Sequence, residues 1–435
     1  MGKTLFMQKD IHKGRLFTAS CVALIATAMT FGIRANLISS MGTEFGISSK
    51  DMGVVIGPAF WGFSLAVFIG GSLCDVLGMR KLLIFAFGGH IAGIVFTILS
   101  TSFWSLFAST LLIGISNGMV EAACNPLVAT IYSDEKTKKI NQFHMWFPGG
   151  IVIGGVASYF MGQFDLNWQV QTGFILIPIL IYGFLFYGQK FPVTERVAAG
   201  VSYKDMLKEC TKPLFIFLIT CSILSSCTEL GANQWIPELL GNSGVPSILV
   251  LVFISGLMTI GRYFAGDIEK RLSSIGILLF SAIFSCAGLY LLSQLSGYWL
   301  FAAAGVFAVG VCYFFPTLMA FISETLPKTG AVGLSIMGAT GMFVSSLIHP
   351  YIGSFYETQT ALNIPDGFDV DVLKTASAQS AEGMLWAKAK LAGGAATLRH
   401  VAILPAILII VYGLLNIFRK KLPTKSSAQK PVSIN

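Results

Sequence analysis

Between Leu82 and Tyr132 the chain carries a single formal charge, the carboxylate of Glu121. A stretch this long and this poor in charge is suited to crossing a bilayer, which takes about 20 apolar residues per helix. A lone carboxylate at bilayer depth costs about 3 kcal/mol or more, so it reads as a proton site or as a ligand for something that crosses. Asn117, Glu121 and Asn125 are spaced four apart and therefore share one helix face. A polar stripe on an otherwise apolar helix must turn away from lipid, toward a cavity or a neighbouring helix.

The rest of the chain follows the same rule. Only 11% of the 435 residues are charged and 54% are hydrophobic, whereas soluble domains carry roughly 25% charged residues. The pattern predicts an all-α membrane protein with twelve spans, near 15–40, 52–74, 81–100, 103–131, 142–163, 169–189, 212–240, 246–267, 273–294, 297–323, 331–357 and 397–418. Of the 29 Lys and Arg, 22 fall on one side of this arrangement, while Lys50, Lys374, Lys388, Lys390 and Arg399 fall on the other. Arg34 and Arg262 remain inside spans. By the positive-inside rule both termini are cytoplasmic, and the expected location is a plasma (bacterial inner) membrane. The net charge of +8 reflects those loops and lipid headgroups; no nucleic-acid partner is expected. The eight Cys are scattered without a CxxC, so neither disulfides, metal nor cofactor is expected.

The chain also repeats. Gly32 and Gly42 near the first span are answered by Gly231 and Gly241 near the seventh, both 199 positions on. Gly71 and Pro126 are answered by Gly261 and Pro316, both 190 positions on. With six spans on each side, this predicts two pseudo-symmetric six-helix bundles with a solute site between them near the midplane. The expected divisions are a bundle over 1–189, a cytoplasmic linker over 190–211, a bundle over 212–418 and a basic tail over 419–435. The outer connection 358–396 is long, acidic at Asp366, Asp369 and Asp371, and then Ala-rich, which suits a short surface helix.

The loop Gly71-Ser72-Leu73-Cys74-Asp75-Val76-Leu77-Gly78-Met79-Arg80-Lys81 resembles the signature of the major facilitator superfamily, G-x-L-x-D-x-x-G-x-R-K, at every defining position. The resemblance implies alternating access, with Gly71, Asp75, Gly78, Arg80 and Lys81 latching one conformation. The degenerate counterpart in the second half, from Gly261 and Arg262 to Lys270 and Arg271, would do the same.

Two further stretches resemble the fucose–proton symporter and glucose/galactose porter branch. Glu121-Ala122-Ala123-Cys124-Asn125-Pro126 is similar to its E-x-A-x-N-P, which implies a protonation and sugar-contact role for Glu121. Glu229-Leu230-Gly231-Ala232-Asn233-Gln234-Trp235 matches its E-x5-W spacing. The branch's helix 1 Asp and helix 5 Gln are replaced by Ser39 and Phe143, with Gln142 adjacent to the latter. Gly32-Ile33-Arg34-Ala35-Asn36-Leu37 instead looks like helix 1 of organophosphate and organic-anion transporters, where the Arg clamps a phosphate or carboxylate. A planar guanidinium suits that bidentate role. Alternatively, Arg34 neutralises Glu121 across the cavity.

Glu229 and Asn233 share a face near Trp235, a set that can hydrogen-bond hydroxyls and stack on a pyranose. Arg34, Asn36, Asn117, Asn125, Gln142, Trp146, Glu229, Asn233, Trp235 and Tyr313 are the candidate solute contacts, with Glu121 and His144 for proton coupling. His349 on the eleventh span is a weaker cavity candidate, and His90 reads as a core residue. No catalytic or nucleotide-hydrolysis motif is present, which argues against an enzyme. The sequence therefore predicts a monomeric secondary transporter of a sugar or sugar derivative, proton-coupled by symport. The alternative is an organic anion, such as a sugar acid or sugar phosphate, clamped by Arg34.

Overall fold

The computed structural model describes residues 11–133, 136–192, 203–241, 243–264 and 273–418. Twelve helices carry the fold: α1 Lys13–Phe45, α2 Ser49–Leu77, α3 Met79–Ile98, α4 Phe103–Ile131, α5 Trp146–Gln163, α6 Trp168–Phe186, α7 Pro213–Leu240, α8 Ser247–Tyr263, α9 Ser274–Leu292, α10 Trp299–Ile322, α11 Gly330–Leu362 and α12 Ala381–Ile417. All but α8 are long and apolar enough to cross a bilayer, and α8 is a shorter apolar helix.

Local chemistry sets the helix ends. The side chains of Ser48, Ser102, Asn167, Ser273 and Ser380 each accept a backbone N–H in the first turn of the helix that follows. Gly46 closes α1 in the left-handed region at φ 63°, and Gly78 turns the chain from α2 into α3 at φ 84°.

The first six helices form one bundle and the last six another. All strands are absent from the described residues, as an apolar solvent requires of an open chain. The bundles meet along α2 against α11, α5 against α8, and α1 against α7. The α2–α11 contact is backbone to backbone: a Cβ at Gly53 would lie 2.5 Å from the His349 carbonyl oxygen. Further along, Ser64 Oγ donates to the Ala339 carbonyl at 2.6 Å. The glycines of α5 serve both neighbours, Gly150 and Gly154 seating α1 while Gly155 seats Val252 of α8.

Two departures from the sequence reading are physical. The connection expected over 358–396 holds a short helix, Val370–Thr375, and then the first turns of α12, which begins at Ala381 rather than near 397. At 37 residues this helix would extend about 55 Å, well beyond a hydrocarbon layer of about 30 Å. It bends at Ala402, where Pro405 cannot donate to the carbonyl four residues back. Its outer part is tied to α7 by Lys390 Nζ, 2.8 Å from Glu238 Oε1. The fifth span keeps its expected bounds, 142–163, and the second departure is a local break inside it at Met145. A separate helix, Lys136–His144, ends where Pro148 would otherwise have to bond to the His144 carbonyl.

Candidate functional site

Proline and a helical bulge shape the centre of the molecule. Within α7 the turn Cys227–Gly231 is a π-helix, and Glu229 sits in it. Such bulges insert a residue into the helical register and concentrate at functional sites. Within α10 the helix is interrupted at Cys312 and Tyr313, because Pro316 has no N–H for the Cys312 carbonyl. Between the bundles lies a small cavity. Phe31, Phe60 and Phe147 form its apolar wall, and Glu229, Asn233, Gln234 and Arg262 supply its polar side.

Arg262, expected with the loop latch, lines this cavity. Its Nη2 lies 3.3 Å from Glu229 Oε1, and its Nε donates to the freed Cys312 carbonyl at 3.4 Å. One guanidinium thus satisfies the bulge's carboxylate and the carbonyl that Pro316 leaves open. Tyr313 Oη donates to the Gly261 carbonyl at 3.3 Å, so this candidate solute contact is engaged in holding α8 to α10.

Glu121, Asn125 and His144 form a second cluster, on the other bundle. Asn125 Nδ2 donates to Glu121 Oε2 at 2.6 Å. That fixes the amide's orientation, so its Oδ1, 2.9 Å from His144 Nε2, must accept. His144 therefore carries a proton on Nε2, while its Nδ1 faces Glu121 Oε1 at 4.0 Å. The Lys136–His144 helix also touches α8, which carries Arg262, across the bundle boundary.

Asn117, expected on the same cavity-facing stripe, turns instead into its own bundle. It is fully buried, donating to Thr30 Oγ1 at 3.0 Å and bonding through Oδ1 to His90 Nε2 at 2.8 Å. His90 Nδ1 in turn meets Tyr182 Oη at 2.9 Å, making His90 the satisfied core residue expected. The bond between Asn117 and Thr30 also explains why Arg34 does not neutralise Glu121. The helices α1 and α4 run in opposite directions, so residues four beyond each of that pair diverge by about 12 Å along the axis. Among the described residues Arg34 has no carboxylate partner; its guanidinium lies 5.5 Å from the centre of the Phe31 ring. Arg34 is nine-tenths buried, and its Nη1 has no hydrogen-bond partner. It lines a pocket within the first bundle, against Met52, Val55 and Thr110, one helical turn from the cavity-lining Phe31.

The remaining candidates divide. Asn233 lines the cavity and its Oδ1 is unpartnered. Trp235 is fully buried, its indole N–H donating to His349 Nδ1 at 3.2 Å, so it offers no stacking surface in this conformation. Asn36 is engaged by Ser158 at 2.8 Å, behind the cavity. Gln142 is half-buried on the Lys136–His144 helix, and Trp146 packs over Gly149. Among the loop residues, Gly71, Gly78, Arg80 and Lys81 are exposed or nearly so; the Asp75 side chain and residues 265–272 lie outside the described residues. Gln234 was not singled out in the sequence. The π-turn just before it changes which residues face inward, and no sequence signal marks such a turn.

The sequence profile of the Major Facilitator Superfamily matches residues 19–350. The mouse voltage-gated purine nucleotide uniporter SLC17A9 is 22% identical over 385 residues, covering 77% of this chain and 83% of that protein. The D-xylose transporter of Levilactobacillus brevis is 25% identical over 148 residues, 34% of this chain and 32% of that one. In structure, a bacterial homologue of the human lysosomal transporter Spinster, in an inward-facing and unoccupied conformation, superposes with a TM-score of 0.75 at 13% identity. It covers 95% of this chain and 98% of the other. Two six-helix bundles around a central cavity, a complete loop signature and a profile match over most of the chain agree: this is an integral membrane protein of the major facilitator superfamily, a secondary transporter of small solutes and not an enzyme.

Proposed function

We propose that the transported solute is an organic anion bearing a carboxylate or phosphate, and that protons drive its movement through Glu121 and His144. The observation that carries this reading is Arg34, a buried guanidinium without a carboxylate partner among the described residues and with one nitrogen unbonded. A buried cation with no counter-charge is costly, and a solute anion can supply what the protein does not. The expectation of a neutral sugar rested partly on Glu229 and Trp235. Here Glu229 is neutralised by Arg262 and Trp235 is buried behind the cavity, which weakens that expectation.

The relatives point the same way without deciding it. The purine nucleotide uniporter matches over most of the chain, and a probable chloroplastic anion transporter of Arabidopsis thaliana is 30% identical over 40% of it. A sugar remains the second reading because Glu229 and Asn233 do line the cavity and a D-xylose transporter is among the relatives. With the termini cytoplasmic, as the charge asymmetry implies, the tight α2–α11 contact near Gly53 and His349 is the closed outer gate, and the cavity serves the cytoplasmic side.

The test is uptake into proteoliposomes of labelled D-glucuronate, glucose 6-phosphate, ATP, D-glucose and D-xylose, with and without an imposed proton gradient. At least one anion should be taken up, and accumulated when protons run down their gradient. Uptake confined to the neutral sugars would overturn the anion reading. Accumulation that ignores the proton gradient would overturn the coupling.

A further inference from the structure

Arg34 lines a pocket that lies wholly within the first bundle, between α1, α2, α3, α4 and α6. Among the described residues it is the only charged one there. Thr30, Thr97, Thr110 and Thr172 supply the other polar groups, and every remaining lining residue is Leu, Ile, Met or Val. Each of the five polar residues is more than nine-tenths buried. Phe31 stands next to both spaces: its ring centre lies 5.5 Å from the Arg34 guanidinium, and it lines the cavity between the bundles.

The hydroxyls divide by what they already do. Thr30 Oγ1 donates to the Thr27 carbonyl at 2.6 Å, and Thr97 Oγ1 to the Gly93 carbonyl at 2.8 Å, so neither has a proton to offer. Thr110 on α4 and Thr172 on α6 make no side-chain hydrogen bond among the described residues and are free to donate. Arg34 Nη1 on α1 is a donor without an acceptor. Three helices thus turn open donors into one apolar pocket, an arrangement that calls for an anion. The charge count then limits which anion. A guanidinium supplies one positive charge, and one negative charge makes the filled pocket neutral. A doubly charged group would leave one charge uncompensated among apolar walls, which is costly.

We infer that this pocket receives the charged group of the solute as a singly charged carboxylate, held by Arg34 with Thr110 and Thr172, and discriminates against a doubly charged phosphate ester. The inference rests on the anion reading above and chooses between the two head groups left open there. It also adds Thr110 and Thr172, which carry no sequence signal of their own. All of these donors belong to one bundle, so the carboxylate stays with the first bundle as the two bundles rock apart.

Affinities are measured calorimetrically on the full-length protein at about pH 7.5, where a carboxylate carries one negative charge and a phosphate monoester close to two. The probes are two matched pairs, D-glucuronate with glucose 6-phosphate and benzoate with phenyl phosphate. The better carboxylate should bind at least about tenfold more tightly than its phosphate partner. Thr110→Val and Thr172→Val keep the side-chain volume and remove the hydroxyl. Each should weaken that carboxylate about tenfold, while Thr110→Ser and Thr172→Ser stay within about threefold of wild type. Neither hydroxyl has a partner among the described residues, so the unliganded valine variants should unfold at or above the wild-type temperature; a structural hydroxyl would lower it. A phosphate ester that binds as tightly as its carboxylate partner overturns the single-charge site and leaves the anion reading standing. Unchanged carboxylate affinity in both valine variants overturns the donor set. Carboxylate binding that survives Arg34→Ala, or a wild type that binds none of the four probes, overturns both this inference and the anion reading. Should the valine variants not fold, the matched pairs on wild type still decide the charge of the head group.

Discussion

Helix α8 and helix α1 each carry one arginine into the interior, and the two are treated differently. Arg262 has an answer for its charge and its geometry: Glu229 on the π-turn of α7, and the Cys312 carbonyl freed by Pro316. Arg34 is the more buried of the two and, among the described residues, has neither; its guanidinium lies 5.5 Å from the centre of the Phe31 ring. An arginine that completes the protein's own hydrogen bonds is part of the architecture. One that leaves a buried donor open has not completed the protein's own hydrogen bonds. The contrast also separates the two carboxylates, since Glu229 is committed to Arg262 while Glu121 accepts a hydrogen bond from Asn125 and faces His144 Nδ1 at 4.0 Å.

The largest effect expected from this contrast is on stability. Arg262→Ala strands Glu229 in the interior and should cost about 3–5 kcal/mol. The double variant Arg262→Ala/Glu229→Gln should recover much of that loss. Equilibrium unfolding in detergent measures both, and a single variant as stable as wild type would show that the pair is not structural. Arg34→Ala strands no carboxylate, so it should leave stability nearly unchanged while weakening anion binding about a hundredfold, or about 3 kcal/mol. A destabilisation as large as that of Arg262→Ala would place Arg34 in the architecture after all.

A further step down is Glu121→Gln, which keeps the hydrogen bond to Asn125 sterically possible and removes the titrating group. Proton-driven accumulation should disappear, while solute exchange at equal concentrations continues at a reduced rate. Accumulation against a gradient by this variant would exclude Glu121 as the carrier. The smallest effect is expected furthest from the cavity. Asp75→Asn or Arg80→Ala should slow turnover several-fold and leave affinity within about threefold, because the loop biases conformations without touching solute. A large loss of affinity at unchanged turnover would contradict a latch.

Hydropathy and charge settled the membrane class, the spans and the two-bundle plan, because a bilayer excludes charges and unpaired backbone whatever the tertiary contacts. The same exclusion made Glu121, Arg34 and Glu229 conspicuous as sequence alone. Partnership was another matter. Asn117, Glu121 and Asn125 share a helical face by spacing, yet Asn117 is drawn to Thr30 and His90 while the other two meet His144. Trp235 carries the aromatic spacing of a sugar platform and is instead folded against His349. The π-turn at Cys227–Gly231 and the break at Cys312 decide which side chains face the cavity; Pro316 marks the second in the sequence, whereas hydrophobic periodicity does not encode the first. One-dimensional spacing fixes which residues can share a face. Helix rotation, depth and crossing fix which of them meet, and these come from close packing over the whole bundle, so only the tertiary structure could pair Arg262 with Glu229 and leave Arg34 open.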